Sequence, residues 1–125
     1  MKWKNGLGES SQIAIFPEGA QLSNFLWRLS SAHIMRSSAF SIYEGYERLL
    51  CITKGPGIRL KYQNGRDEFI NKHQVIRFRG EEQIFCEVED QEIFDIGFVF
   101  ERTKIDATMK LEKLATRNGI KVHHI

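Results

Sequence analysis

Arg28, Arg48 and Asp95 are the residues whose types and positions point most directly to chemistry. In an extended chain alternate residues share a face. On that phase Arg28 and Ser30 fall with Leu26, Ala32 and Ile34, Arg48 falls with Leu50 and Ile52, and Asp95 falls with Ile93, Gly97 and Val99. Each charge therefore lies on an otherwise apolar face. An unpaired buried charge is costly, so these groups must pair with one another or with a ligand. Two guanidinium groups against one carboxylate leave a surplus of positive charge, and guanidinium is a natural bidentate partner for a carboxylate. That surplus favours a small acidic molecule. The other arrangement is a closed salt-bridge network that only sets strand register, or charges at strand ends with their heads in water. The residues leave both open.

The second cluster is the opening run Trp3-Lys4-Asn5-Gly6-Leu7-Gly8, with Trp27-Arg28-Leu29-Ser30 after it. Lys4 and Asn5 bring hydrogen-bond donors, and the glycines let backbone approach a ligand closely. Taken singly, Lys4 is a solvated charge, and Trp3 and Trp27 are packing residues of the core or its rim. Other chemistries have less support. The histidines are His33, His73, His123 and His124, without the spacing of a facial triad, and adjacent His123 and His124 would face opposite sides of a strand. No GxSxG elbow occurs, and nothing singles out Glu9, Glu18 or Glu47 as an acid or base. Cys51 and Cys86 lie in apolar runs without CxxC spacing, as buried thiols of a reducing compartment do.

Short β segments must position these groups. Runs at 12–16, 25–34, 40–43, 48–53, 58–62, 68–70, 75–78, 84–88 and 93–100 are rich in aromatic and branched residues and bounded by Gly, Pro, Asn, Asp or Ser. Asn64-Gly65 predicts a type I′ hairpin, and Gly55-Pro56-Gly57 marks another turn. In the tail, Ile105, Ala107, Met109 and Leu111 alternate as in a strand, although Leu111, Leu114 and Ala115 before Asn118-Gly119 also suit a short helix and its cap. The preferred reading is a strand, a turn at Asn118-Gly119 and a last strand through Ile120 and Val122. The expected architecture is one all-β domain over 1–125, an antiparallel sandwich or barrel.

A chain of 125 residues with 42% hydrophobic and 27% charged residues suits one globular domain. A net charge of +2, with bases dispersed among acids, argues against a nucleic-acid partner. No apolar stretch approaches a membrane span and no secretory leader is evident, so no membrane partner and a cytoplasmic location are expected.

Several ordered segments then carry a resemblance. WKNGLGES, IAIFPEGA, FLWRLSSAHI, FSIYEGYERLL, GPGIRL and FRGEEQIFCEVEDQEIFDIGFVFER, over residues 3–102, resemble the HutD/Ves family of small cupin-fold proteins. The resemblance implies a cupin-like antiparallel β-barrel or sandwich of the jelly-roll kind, lacking the usual cupin metal motif and so without metal or other cofactor. It implies binding of N-formyl-glutamate or a similar carboxylate, with a regulatory role in histidine or amino-acid catabolism, or in stress response. The motif positions present are Trp3, Lys4, Asn5, Gly6, Gly8, Trp27, Arg28, Ser30, Phe40, Ser41, Gly45, Arg48 and Asp95. Among them Trp3, Lys4, Asn5, Trp27, Arg28, Ser30, Phe40, Ser41, Arg48 and Asp95 are the expected ligand-binding residues, with the two arginines as carboxylate partners. The chain departs from the family in having Asp95-Ile96-Gly97 where Asp-Phe-Asn is usual, which removes an amide from the pocket. It also has only Thr103 to Ile125 where relatives carry a second cupin half. An open or abbreviated barrel is expected from this, and with it a homodimer.

A receptor for an acidic metabolite is the first functional reading, because cations outnumber candidate bases. A cupin isomerase or hydrolase using Asp95 or Lys4 as acid or base is the second, and a protein-interaction module is the third.

Overall fold

The computed structural model describes residues 7–89, 92–111 and 118–125. Among these the chain forms β1 (Gly8–Phe16), β2 (Trp27–Ile34), β3 (Ser38–Ala39), β4 (Tyr46–Lys54), β5 (Gly57–Tyr62), β6 (Asp67–Asn71), β7 (Val75–Arg79), β8 (Ile84–Glu87), β9 (Ile93–Glu101), β10 (Ile105–Leu111) and β11 (Asn118–His124), and no helix. Two antiparallel sheets result, one ordered β1-β2-β9-β4-β7 and one ordered β3-β8-β5-β6, with β10 and β11 as a separate hairpin.

The pattern of apolar residues explains this layering. In β5, Ile58, Leu60 and Tyr62 are buried while Arg59 and Lys61 are exposed, as a strand with one wet face requires. The central strands β4 and β9 instead carry unbroken buried runs, Leu49–Ile52 and Phe98–Phe100, because both of their faces are covered. Ile34, Leu50, Ile52 and Ile93 of the larger sheet meet Ile58, Leu60, Ile70, Ile84 and Cys86 of the smaller one in a core between the sheets. On the other face of the larger sheet Leu49, Phe98 and Phe100 pack under Ile105 and Ala107 of the hairpin, with Trp27, Leu29, Met109, Ile120 and Val122 around them. The tail thus covers a sheet face that would otherwise expose aromatic side chains.

Local expectations needed correction at three places. Asn64-Gly65 does close the β5–β6 hairpin, but only Gly65 has positive φ, at 93°. The Gly65 N–H donates to Tyr62 and the Tyr62 N–H to Arg66, so the loop is a three-residue turn with a left-handed glycine and not type I′. Residues 40–43 are not a strand. After the two-residue β3, the Tyr43 N–H donates to Gly80 (2.8 Å) and the chain turns through Gly45, whose φ is 85°. Finally, Asn118 and Gly119 pair with Leu111 and Lys110 inside the hairpin ladder, so they are strand residues and not the expected turn. Leu114 and Ala115, the basis of the helical alternative, fall outside the described residues.

A charge network clips the 43–46 turn onto the sheet. Glu81 accepts the Gly45 N–H (2.8 Å) and pairs with Arg102, which also meets Glu47 at 3.3 Å, and Glu47 meets Arg77 at 3.0 Å. Arg102 and the Gly45 amide hold the Glu81 carboxyl down at about 2, so the clip stays ionised through mild acid.

Candidate functional site

Core side chains fill one end of the space between the sheets, and the other end is a cavity of about 370 Å³. Its floor follows from strand register. Arg28, Val99 and Arg48 lie abreast on β2, β9 and β4, Ser30, Gly97 and Leu50 form the next row, and Ala32, Asp95 and Ile52 the third. With strands about 4.8 Å apart and about 3.3 Å per residue, the arginine backbones stand about 10 Å from each other and Asp95 about 13 Å along the floor from Val99. Arg28, Ser30, Arg48 and Asp95 all line the cavity, with Phe40, Ser41 and Tyr43 at its rim.

The two guanidinium groups are held differently. Arg28 Nε donates to Gln12 Oε1 at 3.0 Å, which uses one edge of the fork. Arg48 is enclosed by the rings of Phe40, Tyr43 and Phe78, at 5.2, 5.2 and 5.1 Å, and its Nη1 donates to the Ser41 carbonyl at 3.1 Å. Burial lowers the basicity of Arg48, and Tyr43 and Asp95 oppose that effect. A guanidinium group so held remains a cation. Among the described residues neither arginine stands in an ion pair, so the closed salt-bridge arrangement is not what the fold builds.

Asp95 is 7% exposed, and desolvation pushes its carboxyl up to about 7 against the pull of Arg48 and of the Ala32 N–H. The nearby thiols are inert. Burial raises Cys51 to about 11 and Cys86 to about 12, and both are free. Two guanidinium groups, one carboxylate and no imidazole line the described cavity, a donor set unsuited to a divalent cation.

Gly97 shapes the space. A Cβ built there approaches nothing closer than 4.0 Å, so a side chain at this position would project freely into the hollow. Gly97→Leu is expected to keep or raise the melting temperature, since glycine weakens a strand by about 0.5–1 kcal/mol. The same variant should lose any ligand-induced thermal shift; a retained shift would place the ligand elsewhere.

Of the sequence-expected residues, the fold gathers Arg28, Ser30, Phe40, Ser41, Arg48 and Asp95 at one cavity. Trp27 is a correction. It points to the opposite face, stacked on Phe16 at 5.8 Å, with its indole N–H donating to His124 Nε2 at 3.2 Å. Trp3, Lys4 and Asn5 lie outside the described residues. The sequence reading missed Tyr43 and Phe78, which enclose Arg48. Phe78 is its direct cross-strand neighbour, and Tyr43 is carried by the turn at Gly45.

Comparison with known proteins agrees with this architecture. A 21.2 kDa protein in the hutC 3′ region of Pseudomonas putida is 33% identical over 100 residues, covering 80% of this chain and 52% of that protein. Protein Ves of Citrobacter koseri is 28% identical over 110 residues, 87% of this chain and 56% of Ves. The chain thus spans about half the length of these curated relatives. HutD from Pseudomonas fluorescens SBW25, solved in a formate condition, superposes with a TM-score of 0.80 at 31% identity, over 88% of this chain and 59% of that one. A cupin domain of an Enterobacter cloacae transcriptional regulator superposes at 0.57 and 14% identity, over 76% of this chain and 96% of that one, which shows the fold alone to be a cupin. No helix among the described residues is long and apolar enough to cross a membrane. The HutD family model matches residues 1–123, and the chain belongs to that family.

Proposed function

We propose that the protein is a receptor for a small carboxylic acid, an N-formyl-glutamate-like molecule, held without metal in the cavity between the sheets. The observation that carries this is the pair of arginines abreast on one floor, neither in an ion pair among the described residues, beside a single carboxylate. Arg48 is caged by three rings and Arg28 is steadied by Gln12, so both forks are oriented before a ligand arrives and little entropy is lost on binding. A cavity of about 370 Å³ suits a molecule of metabolite size. A regulatory role in histidine or amino-acid catabolism, or in stress response, belongs to the same proposal; the name of the Pseudomonas putida relative places it in the hutC 3′ region.

The test is a thermal-shift screen against N-formyl-glutamate, glutamate, glutarate and succinate. An acid at a hundred times its Kd stabilises the native state by about 2.7 kcal/mol, a rise of several degrees. Arg28→Ala and Arg48→Ala should each reduce that rise, and the double variant should abolish it. No shift with any acid, or one that survives the double variant, defeats the proposal.

Asp95, poised near neutrality, favours a second reading in which the same pocket is an isomerase or hydrolase with Asp95 as acid or base. Turnover of the bound acid followed by NMR, and lost in Asp95→Asn, would select it. A homodimer is a further part of the proposal. β1 is an edge strand of the larger sheet among the described residues, and an unpaired edge is a template for a second copy. A single-chain mass by light scattering would exclude it.

A further inference from the structure

Asp95 has no part in the receptor reading beyond lining the cavity, yet its charge is the one that an incoming acid must disturb. It sits between Ala32 and Ile52 in the strand register, accepts the Ala32 N–H, and has Arg48 as its opposing charge. A carboxylate that settles on Arg48 engages that cation and brings a second negative charge into the same enclosed space. Two carboxylates sharing one site cannot both remain ionised. If one of them holds a proton, the repulsion becomes an O–H···O⁻ hydrogen bond, among the strongest a protein forms.

We propose that the pocket takes up its carboxylate ligand together with one proton, held by Asp95, whose protonated carboxyl donates to the bound acid. The inference rests on the receptor reading above and assigns Asp95 as a binding and selectivity residue within it. The charged and titratable groups that share the cavity with Asp95 are Arg28 on β2, Arg48 on β4 and Tyr43 in the turn over Arg48, and the thiols that feel its charge are Cys51 on β4 and Cys86 on β8. Arg48 stays cationic, and both thiols stay protonated well above neutrality. With its carboxyl raised to about 7, Asp95 is the group among these that can take a proton on binding at mildly alkaline pH.

Isothermal titration of the full chain with succinate provides the test, at pH 5.5 to 8.5 in cationic buffers of different ionisation enthalpy. At pH 5.5 Asp95 is already protonated and takes up nothing, so the only proton exchanged is one that succinate itself sheds; at pH 8, where succinate is fully ionised, uptake should approach one per succinate. Affinity reckoned on the succinate dianion should be flat below pH 7 and fall about tenfold per pH unit above it. Asp95→Asn, which is neutral at every pH, should bind with no proton uptake and no slope, and so more tightly than wild type at pH 8. Succinate binding without proton uptake at pH 8 overturns the inference and leaves the receptor reading standing. No binding even at pH 5.5 removes both. Should Asp95→Asn fail to fold, a ¹³C titration of the Asp95 carboxyl in the wild type decides the matter. Saturating succinate should raise its midpoint by more than one pH unit, and an unmoved midpoint overturns the inference.

Discussion

Asp95→Asn should make the protein more stable at pH 8, by up to about 4 kcal/mol, and leave its stability nearly unchanged at pH 3.5. The sign follows from proton binding. Burial raises the Asp95 carboxyl to about 7 in the folded chain, against 3.8 for a solvated aspartate. Between those values the native state holds a proton that the unfolded chain has released, so stability falls as pH rises through the window. Above pH 7 the full cost of the buried carboxylate is present, and three pH units correspond to about 4 kcal/mol. Asparagine fits the same space, can still accept the Ala32 N–H, and carries no charge to desolvate. For a chain of this size the gain amounts to a rise on the order of 10 °C in melting temperature. Thermal unfolding of both proteins from pH 3.5 to 8.5 measures it. Parallel curves for the two, with a constant gap at all pH, would show that Asp95 is not a desolvated acid. A native protein that keeps a destabilising carboxylate beside its cavity is the pattern expected where function, and not stability, selects the residue.

Gly80→Ala should cost about 3 kcal/mol and abolish the carboxylate-induced thermal shift as well. Gly80 ends the stretch after β7 and is clasped by the turn that carries Tyr43. Its N–H donates to the Tyr46 carbonyl and its carbonyl accepts the Tyr43 N–H, each at 2.8 Å. A Cβ there would stand 2.1 Å from the Tyr43 oxygen and 2.9 Å from that of Tyr46. Backbone cannot give way by that much without breaking both hydrogen bonds, and Tyr43 would then leave its place over Arg48. Gly65→Ala is the matching control. Nothing lies within 4 Å of a Cβ at that turn, and only its left-handed φ of 93° is penalised. That variant should lose about 1 kcal/mol and keep the ligand response. If Gly80→Ala melts and binds like wild type, the turn does not depend on the contact.

Much of the site was readable because β phase has a period of two. Arg28, Arg48 and Asp95 could each be assigned to an apolar face from neighbouring residues alone, and all three do line the cavity. The same rule excludes Trp27, which adjoins Arg28 and must point the other way; only motif membership, against its own phase, puts the tryptophan among the expected ligand residues. Turn chemistry was less legible. Asn64-Gly65 marked the right hairpin and the wrong turn type, since the three-residue loop spends its single left-handed position on Gly65. Residues 40–43 looked like a strand by composition, but the tight turn through Gly45 and its clip to Glu81 pull them out of the sheet.

Composition and alternation therefore determine the all-β class, the faces that Arg28, Arg48 and Asp95 occupy and, through the ordered motifs, the family. They say nothing of which strands are neighbours. It is the order β2-β9-β4 that sets Arg28 and Arg48 abreast, and the Gly45 turn that folds Tyr43 over the latter. The shifted carboxyl of Asp95 belongs to that same level. Desolvation is a property of what surrounds a group in space, and the residues that surround Asp95 come from strands far apart in the chain.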